Sequence, residues 1–262
     1  MPKTEVTILT IVMVLSVMTG GCDSSSDPAE TTGTFNVSIT DTPASFDAVN
    51  ITFSEVSVIP SNGQPIIVSD AVQTINLIEW SNGLSTPLGS IELEAGTYDQ
   101  IRLIIDAASV IIDGVESSVE VPSGAQTGLK LAHQFTLEVG STYDLMIDFD
   151  ASRSIVRTGP PANPSYFLKP TIRLVAVATT GSISGSVTNP GNVPVALALS
   201  GVDTISTVLV DTLSGEFRLA FLEVGCLYNV VVKDTTGARF DTTGVEVVAG
   251  ADADLGAIEL TK

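Results

Sequence analysis

Strict period-two alternation, repeated in short runs, is what most limits the folds open to this chain. In GLKLAHQFTLEVG the residues Leu129, Leu131, His133, Phe135, Leu137 and Val139 share one face, while Lys130, Ala132, Gln134, Thr136 and Glu138 share the other. A side chain returns to the same side every second residue only in a strand, so this run predicts one face for a core and one for water. The alternation recurs at Phe35, Val37 and Ile39, at Ile101, Leu103 and Ile105, and at Tyr143, Leu145, Ile147 and Phe149. In VNITFSEVSVI the phase set by Val49, Ile51 and Phe53 passes to Val56 and Val58, and that slip near residues 54–55 predicts a bulge. With 22 Gly and 13 Pro to punctuate the runs, and no helical 3.6-residue spacing after the first 21 residues, the expected class is all-β, arranged as two sandwich-like domains. AVQTINLIEWSNGL leaves a strand and a short helical turn both open.

The N-terminal segment follows a different logic. Lys3 supplies a basic end, and residues 6–18 form an apolar stretch broken only by Thr7, Thr10 and Ser16. Thirteen residues suit a secretory signal and fall short of the ~20 that span a bilayer. Thr19, Gly20 and Gly21 then precede Cys22. This resembles the lipobox of bacterial lipoproteins, which implies a diacylated Cys22 as the mature N-terminus, with Thr19 where that motif usually carries Leu. Cleavage by an ordinary signal peptidase is the alternative. The expected order is a lipoprotein signal peptide over residues 1–21 and a polar tether over 22–32. DSSSDPAETT has the composition of a solvated linker, and the tether's eleven residues reach about 35–40 Å when extended. An acylated Cys22 would leave Cys226 without a partner; an unacylated one could form a disulfide with it.

Charge excludes one class of partner. Eleven Lys and Arg stand against 30 Asp and Glu, a net charge of -19, and the cations are scattered singly. Counterion release on nucleic acid needs clustered cations, so nucleic-acid binding is not expected.

Between residues 33 and 177 stand VSITDTPASFDAVNITFSEVSV, AGTYDQIRLII, VPSGAQTGLKL, IDFDASRSIV and YFLKPTIRLV, in that order along the chain. Together they resemble a bacterial lipoprotein domain known as domain of unknown function 4382. The resemblance implies a lipid-anchored β domain, set at residues 33–178, and no known activity. Residues 181–262 hold a G-x-I-x-G-x-V opening at 181–187, a G-x-F-x-L arm at 215–219 and the strand of GCLYNVVV, in which Cys226 is a variable site. That pattern resembles a carboxypeptidase-regulatory-like or transthyretin-like sandwich. In known proteins such modules are spacers, adhesion arms or accessory units.

Few residues suggest chemistry. His133 is the one histidine, and its inward phase fits a core histidine or, alternatively, a general base or ligand at a pocket floor. One histidine and no free cysteine pair rule out the usual zinc sets, and no G-x-S-x-G elbow precedes a helix. Asp144, Asp148 and Asp150 share a face of YDLMIDFD, with Asp41 and Asp47 expected in the TDTPASFDAV loop. Oxygen-only groups of this kind suit Ca²⁺, and a solvated acidic face is the plainer reading. The same carboxylates could pair as in glycoside hydrolases, but those clefts are rich in aromatics and Trp80 is the sole tryptophan. VPSGAQTG, residues 121–128, reads as a hairpin loop. The expectation is therefore no catalytic residue and no required cofactor. The chain reads as a non-enzymatic binding or structural module, anchored by lipid on Cys22 to a membrane of the bacterial envelope and facing an extracellular or periplasmic protein or glycan. The alternatives are a Ca²⁺-dependent glycan or protein adhesin and a hydrolase with a carboxylate pair in the N-terminal domain.

Overall fold

The alternating runs become nineteen strands in four sheets among the residues that the computed structural model describes, 31–42, 45–160 and 163–262. The expected signal segment, Cys22 and most of the expected tether lie outside the described residues. The class is all-β, as the alternation requires.

The first sandwich sets a four-stranded sheet against an eight-stranded one. The smaller sheet runs in the order Ile172–Ala176, Thr142–Phe149, Thr32–Asp41, Thr86–Glu94, and its central pair is parallel, with Phe35 beside Tyr143 and Ile39 beside Ile147. The larger sheet is built on two long antiparallel strands, Ala48–Pro60 and Gly96–Ile112, whose register slips between Thr52 and Glu55, where the phase change falls in the sequence. Phe35, Val37, Ile39, Ile51, Ile101, Leu103, Ile105, Ile147 and Phe149 fill the space between the sheets. Asp113 and Gly114 sit at φ 52° and 75° in the two-residue hairpin that joins Gly96–Ile112 to Val115–Glu120, the mirror-image turn that an Asp-Gly pair favours.

The second sandwich packs a three-stranded sheet, Glu216–Glu223, Thr180–Val187, Asp252–Ile258, against a four-stranded one, Asp203–Leu209, Val195–Ser200, Leu227–Lys233, Arg239–Glu246. Its core is a separate cluster that includes Ile183, Leu219, Leu222, Tyr228, Val230 and Val232. Here too the first strand runs parallel to a late one, Ser182 beside Asp252.

One local device occurs in both sandwiches. Gly33 and Gly181 each lie in the first strand, flush against a turn that precedes its parallel neighbour. Thr34 N–H donates to Ser141 O and Gly140 N–H to Thr32 O, while Ser182 N–H donates to Ala251 O and Gly250 N–H to Thr180 O. A Cβ on Gly33 would fall 2.6 Å from Glu138 O, and one on Gly181 2.3 Å from Val248 O. Each sandwich also ties a buried tyrosine to the end of the preceding strand: Tyr98 Oη donates to Glu94 O at 2.7 Å in LEAGTY, and Tyr228 Oη to Glu223 O at 3.0 Å in LEVGCLY.

Several expectations change. AVQTINLIEW supplies both open alternatives, a strand at Gln73–Asn76 and a 3₁₀ turn at Leu77–Trp80. The VPSGAQTG loop contains one helical turn, Ser123–Gln126. Leu129–Leu137 ends before Val139, which is exposed in the following turn. YFLKPTIRLV is split by Pro170 into Ser165–Leu168 and Ile172–Ala176, which belong to different sheets.

Candidate functional site

The face of the first sandwich that carries the acidic strand is covered. Alternation along Thr142–Phe149 puts Asp144, Met146 and Asp148 on the side away from the core, yet Met146 and Asp148 are buried. Met146 and its neighbour Val175 belong to neither hydrophobic cluster. At the end of this face stand Ser206, Thr207, Val208, Ala220 and Phe221 of the second sandwich. The approach is close: a Cβ on Gly83, in the Asn82–Gly83 turn, would sit 3.0 Å from Ala220 Cβ. The solvated acidic face expected from the sequence is thus corrected, because a second layer excludes water from half of it.

Arg173 closes the seam. Its Nε and Nη2 donate to Asp148 Oδ2 at 3.1 and 2.7 Å, and its Nη1 donates to the carbonyl of Phe221 at 3.0 Å. Phe221 holds φ at 54°, a left-handed conformation that a bulky residue rarely takes. It lies where the register of Glu216–Glu223 slips against the first strand, between Gly181 and Ile183. Burial pushes the Asp148 carboxyl upward, and the Arg173 guanidinium opposes the shift.

The five acidic candidates separate. Asp144 is exposed and accepts from Asn36 Nδ2 at 2.8 Å. Asp47 accepts from Gly114 N–H at 2.8 Å, so it steadies the Asp113–Gly114 hairpin on the other sheet. Asp150 is the N-cap of the Ala151–Ser154 turn and accepts from Arg153 N–H at 3.0 Å and Ser152 Oγ at 2.6 Å. Asp41 continues the inward phase of Phe35, Val37 and Ile39, and only 5 % of it is exposed. Its Oδ1 accepts from Ala151 N–H at 2.9 Å, but its Oδ2 is buried with no partner. Burial pushes the Asp41 carboxyl up to about 8; the Ala151 N–H pulls it down, and Asp148 and Asp150 push it further up. Asp41, Asp148 and Asp150 are therefore the group the fold brings together, while Asp47 and Asp144 stand apart.

Two open grooves flank this seam. One, of about 260 Å³, runs between the sandwiches and is lined by Thr42, Asp148, Asp150, Arg153, Arg173 and Thr204 among others. The other, of about 590 Å³, lies mainly on the three-stranded sheet, where Asp252 accepts from Ser182 and Ser184 beside Arg218. His133 is half-buried, and its Nε2 lies 2.9 Å from Tyr143 Oη within a cluster of rings that includes Phe135 and Phe35. Burial holds its imidazolium pKa below the ordinary histidine value. Cys226 is a free, exposed thiol.

Sequence reasoning missed Arg173 as a clamp. Arg173 is in phase with Lys169 and Thr171, and by residue type alone that face reads as polar and outward. Asp41, expected in a loop, instead ends the strand Thr32–Asp41, where alternation from Phe35, Val37 and Ile39 carries its carboxylate inward.

Solved structures resemble the chain only distantly. They include the Bacillus anthracis TIE protein (9% identity, TM-score 0.24, 87% of this chain and 34% of that one). A proposed adhesin from Bacteroides ovatus ATCC 8483 matches at 11% identity and TM-score 0.21, over 87% and 92%. A leucine-rich repeat protein from Bacteroides thetaiotaomicron VPI-5482 matches at 11% and 0.19, over 88% and 26%. The chain thus spans about a third of the first protein and a quarter of the third. No curated protein matches it by sequence. One family does match, over residues 32–170, the region that supplies Asp41, Asp148 and Asp150. The chain belongs to the family described as "Domain of unknown function (DUF4382)".

Proposed function

We propose that the protein is a non-enzymatic binding or structural module of the bacterial cell envelope, held to a membrane by lipid on Cys22. The observation that carries this reading is how the reactive side chains are used. Asp148 binds the arginine that clamps the two sandwiches, Asp150 caps a helical turn, and His133 is paired with Tyr143 in a ring cluster. A hydrolytic carboxylate pair needs one acid free to give a proton and one base free to meet water or sugar. Asp148 and Asp150, the carboxylates of the inter-sandwich groove, are both committed to structural partners. The clamp suits a module whose task is to present a surface at fixed orientation. In this reading the second sandwich is the transthyretin-like or carboxypeptidase-regulatory-like spacer that its sequence resembles, and the open grooves beside Arg173 and Arg218 are where a protein or glycan would be met.

The anchor is tested by mass spectrometry of the N-terminal peptide from the membrane fraction. A diacylated Cys22 supports the proposal, and Cys22→Ala should release the protein from membranes. An unmodified N-terminus overturns it.

A further inference from the structure

Between the sandwiches lies a small cleft with room for about 10 Å³, lined by Thr40, Asp41, Thr42, Asn82, Asp148 and residues 206–208 and 220–221. That is room for roughly one water molecule. Asp41 lines it, and Asp41 Oδ2 is the buried side-chain oxygen that lacks any partner among the described residues. Asp148 also lines it; its Oδ2 is taken by Arg173, but its Oδ1 has only a long 3.4 Å contact from Thr42 Oγ1. Two carboxylate oxygens thus stand short of donors beside one small cavity. Local charge runs the same way. Asp41, Asp148 and Asp150 are close enough to repel one another. Arg173 is paired with Asp148, and Arg153 lies 3.9 Å from Asp150 with its side chain mostly in solvent.

We propose that this seam binds one Ca²⁺ ion, on Asp41 Oδ2 and Asp148 Oδ1, with hydroxyl oxygens around the cleft and water completing its shell. A hard cation with 6–8 oxygen ligands and flexible geometry suits this mixed wall. Mg²⁺ does not, because it demands a near-ideal octahedron of oxygens, which an irregular wall of carboxylates and hydroxyls does not supply. An entry path exists: Thr42, Asp148, Ser206 and Thr207 line both the cleft and the open 260 Å³ groove. Among the described residues no three carboxylate, imidazole or thiol groups form a metal-holding group, so two carboxylates carry the site. Its affinity belongs in the weak range of extracellular modules, about 10⁻⁴–10⁻³ M. Occupancy would join residues of both sandwiches, so the ion would act on the seam. This inference does not depend on the lipid anchor.

The test uses the purified full-length protein, stripped with a chelator and melted in rising CaCl₂ or MgCl₂ at pH 8.5, where the Asp41 carboxyl, at about 8, has mostly released its proton. Near 10 mM Ca²⁺ the melting temperature should rise by about 3 °C, with little effect from Mg²⁺. Asp41→Asn, which keeps the oxygen that accepts from Ala151, should fold and lose the Ca²⁺ response. Asp47→Asn should keep it. A wild-type protein that does not respond to Ca²⁺ overturns the proposal, and so does a response that survives Asp41→Asn.

Discussion

Arg173 of the first sandwich donates to the backbone carbonyl of Phe221 in the second at 3.0 Å, while two of its other nitrogens hold Asp148. A side chain that satisfies a carboxylate in one sandwich and a carbonyl in the other couples the orientation of both. Removing it leaves two acceptors without their donor in a largely dry seam. Arg173→Ala should therefore lower stability by about 2–4 kcal/mol, read from the midpoint of denaturant unfolding. Lysine should recover only part, since it lacks the planar fork. A loss below about 0.5 kcal/mol would mean that the seam is held by apolar contacts alone.

Asp41 gives the pH dependence. Its carboxyl stands at about 8 in the folded chain against an ordinary 3.8, so the folded state holds the proton more tightly than the unfolded one. The contribution of Asp41 to stability is then fully present below about pH 4 and is lost as pH rises to about 8, by an amount on the order of 5 kcal/mol if nothing replaces the proton. In chelator, Asp41→Asn should flatten that decline. At pH 7 it should stabilise by about 1–3 kcal/mol, after the cost of one unpaired amide donor. Urea midpoints at pH 5, 7 and 8.5 decide it; parallel curves for both proteins would place the proton elsewhere.

Gly181 tests the device shared by the two sandwiches. Its missing Cβ leaves room for the carbonyls of Val248 and Ala251, which a methyl group would approach to 2.3 and 2.7 Å. Gly181→Ala should cost about 2–4 kcal/mol, because both obstructing atoms are backbone that cannot rotate away. Gly114→Ala meets no atom within 4 Å, so only its φ of 75° opposes it and its cost should be nearer 1 kcal/mol. Thermal melts of the pair should rank in that order.

Val193 lies at φ 50° and is half exposed, just before Pro194. A β-branched residue in the left-handed region is strained, and little burial compensates for it here. Val193→Asn should stabilise by about 0.5–1 kcal/mol, since asparagine tolerates this conformation. A destabilised variant would show that the exposed valine makes a contact worth more than its strain.

Much of the fold was legible because alternation reports phase. Phe35, Val37, Ile39, Ile147 and Phe149 could be assigned to one layer from spacing alone, and the slip between Thr52 and Glu55 showed in the sequence as a change of phase. Phase does not say what covers the other face. Asp148 and Arg173 read as solvent residues because the second sandwich, remote in sequence, shields them. Residues 206–208 and 220–221 carry no motif that announces contact with them, and the carbonyl of Phe221 is invisible to any residue-type argument. Asp41 was misplaced for another reason: in the sequence Thr42-Pro43 marks a turn, which draws the eye to a loop and away from the strand phase that Asp41 shares with Phe35, Val37 and Ile39.

The parallel pairing of the second sandwich has a mechanical consequence. Thr180–Val187 and Asp252–Ile258 run side by side in the same direction. A pull applied at Thr180 and resisted at Ile258 therefore acts along the two strands in opposite senses. The hydrogen bonds between them lie across that pull, so they share the load in shear and cannot be peeled apart one by one. Extension of this module should begin with rupture of the whole ladder, at a force well above that needed to unzip a hairpin such as Leu227–Lys233 with Arg239–Glu246.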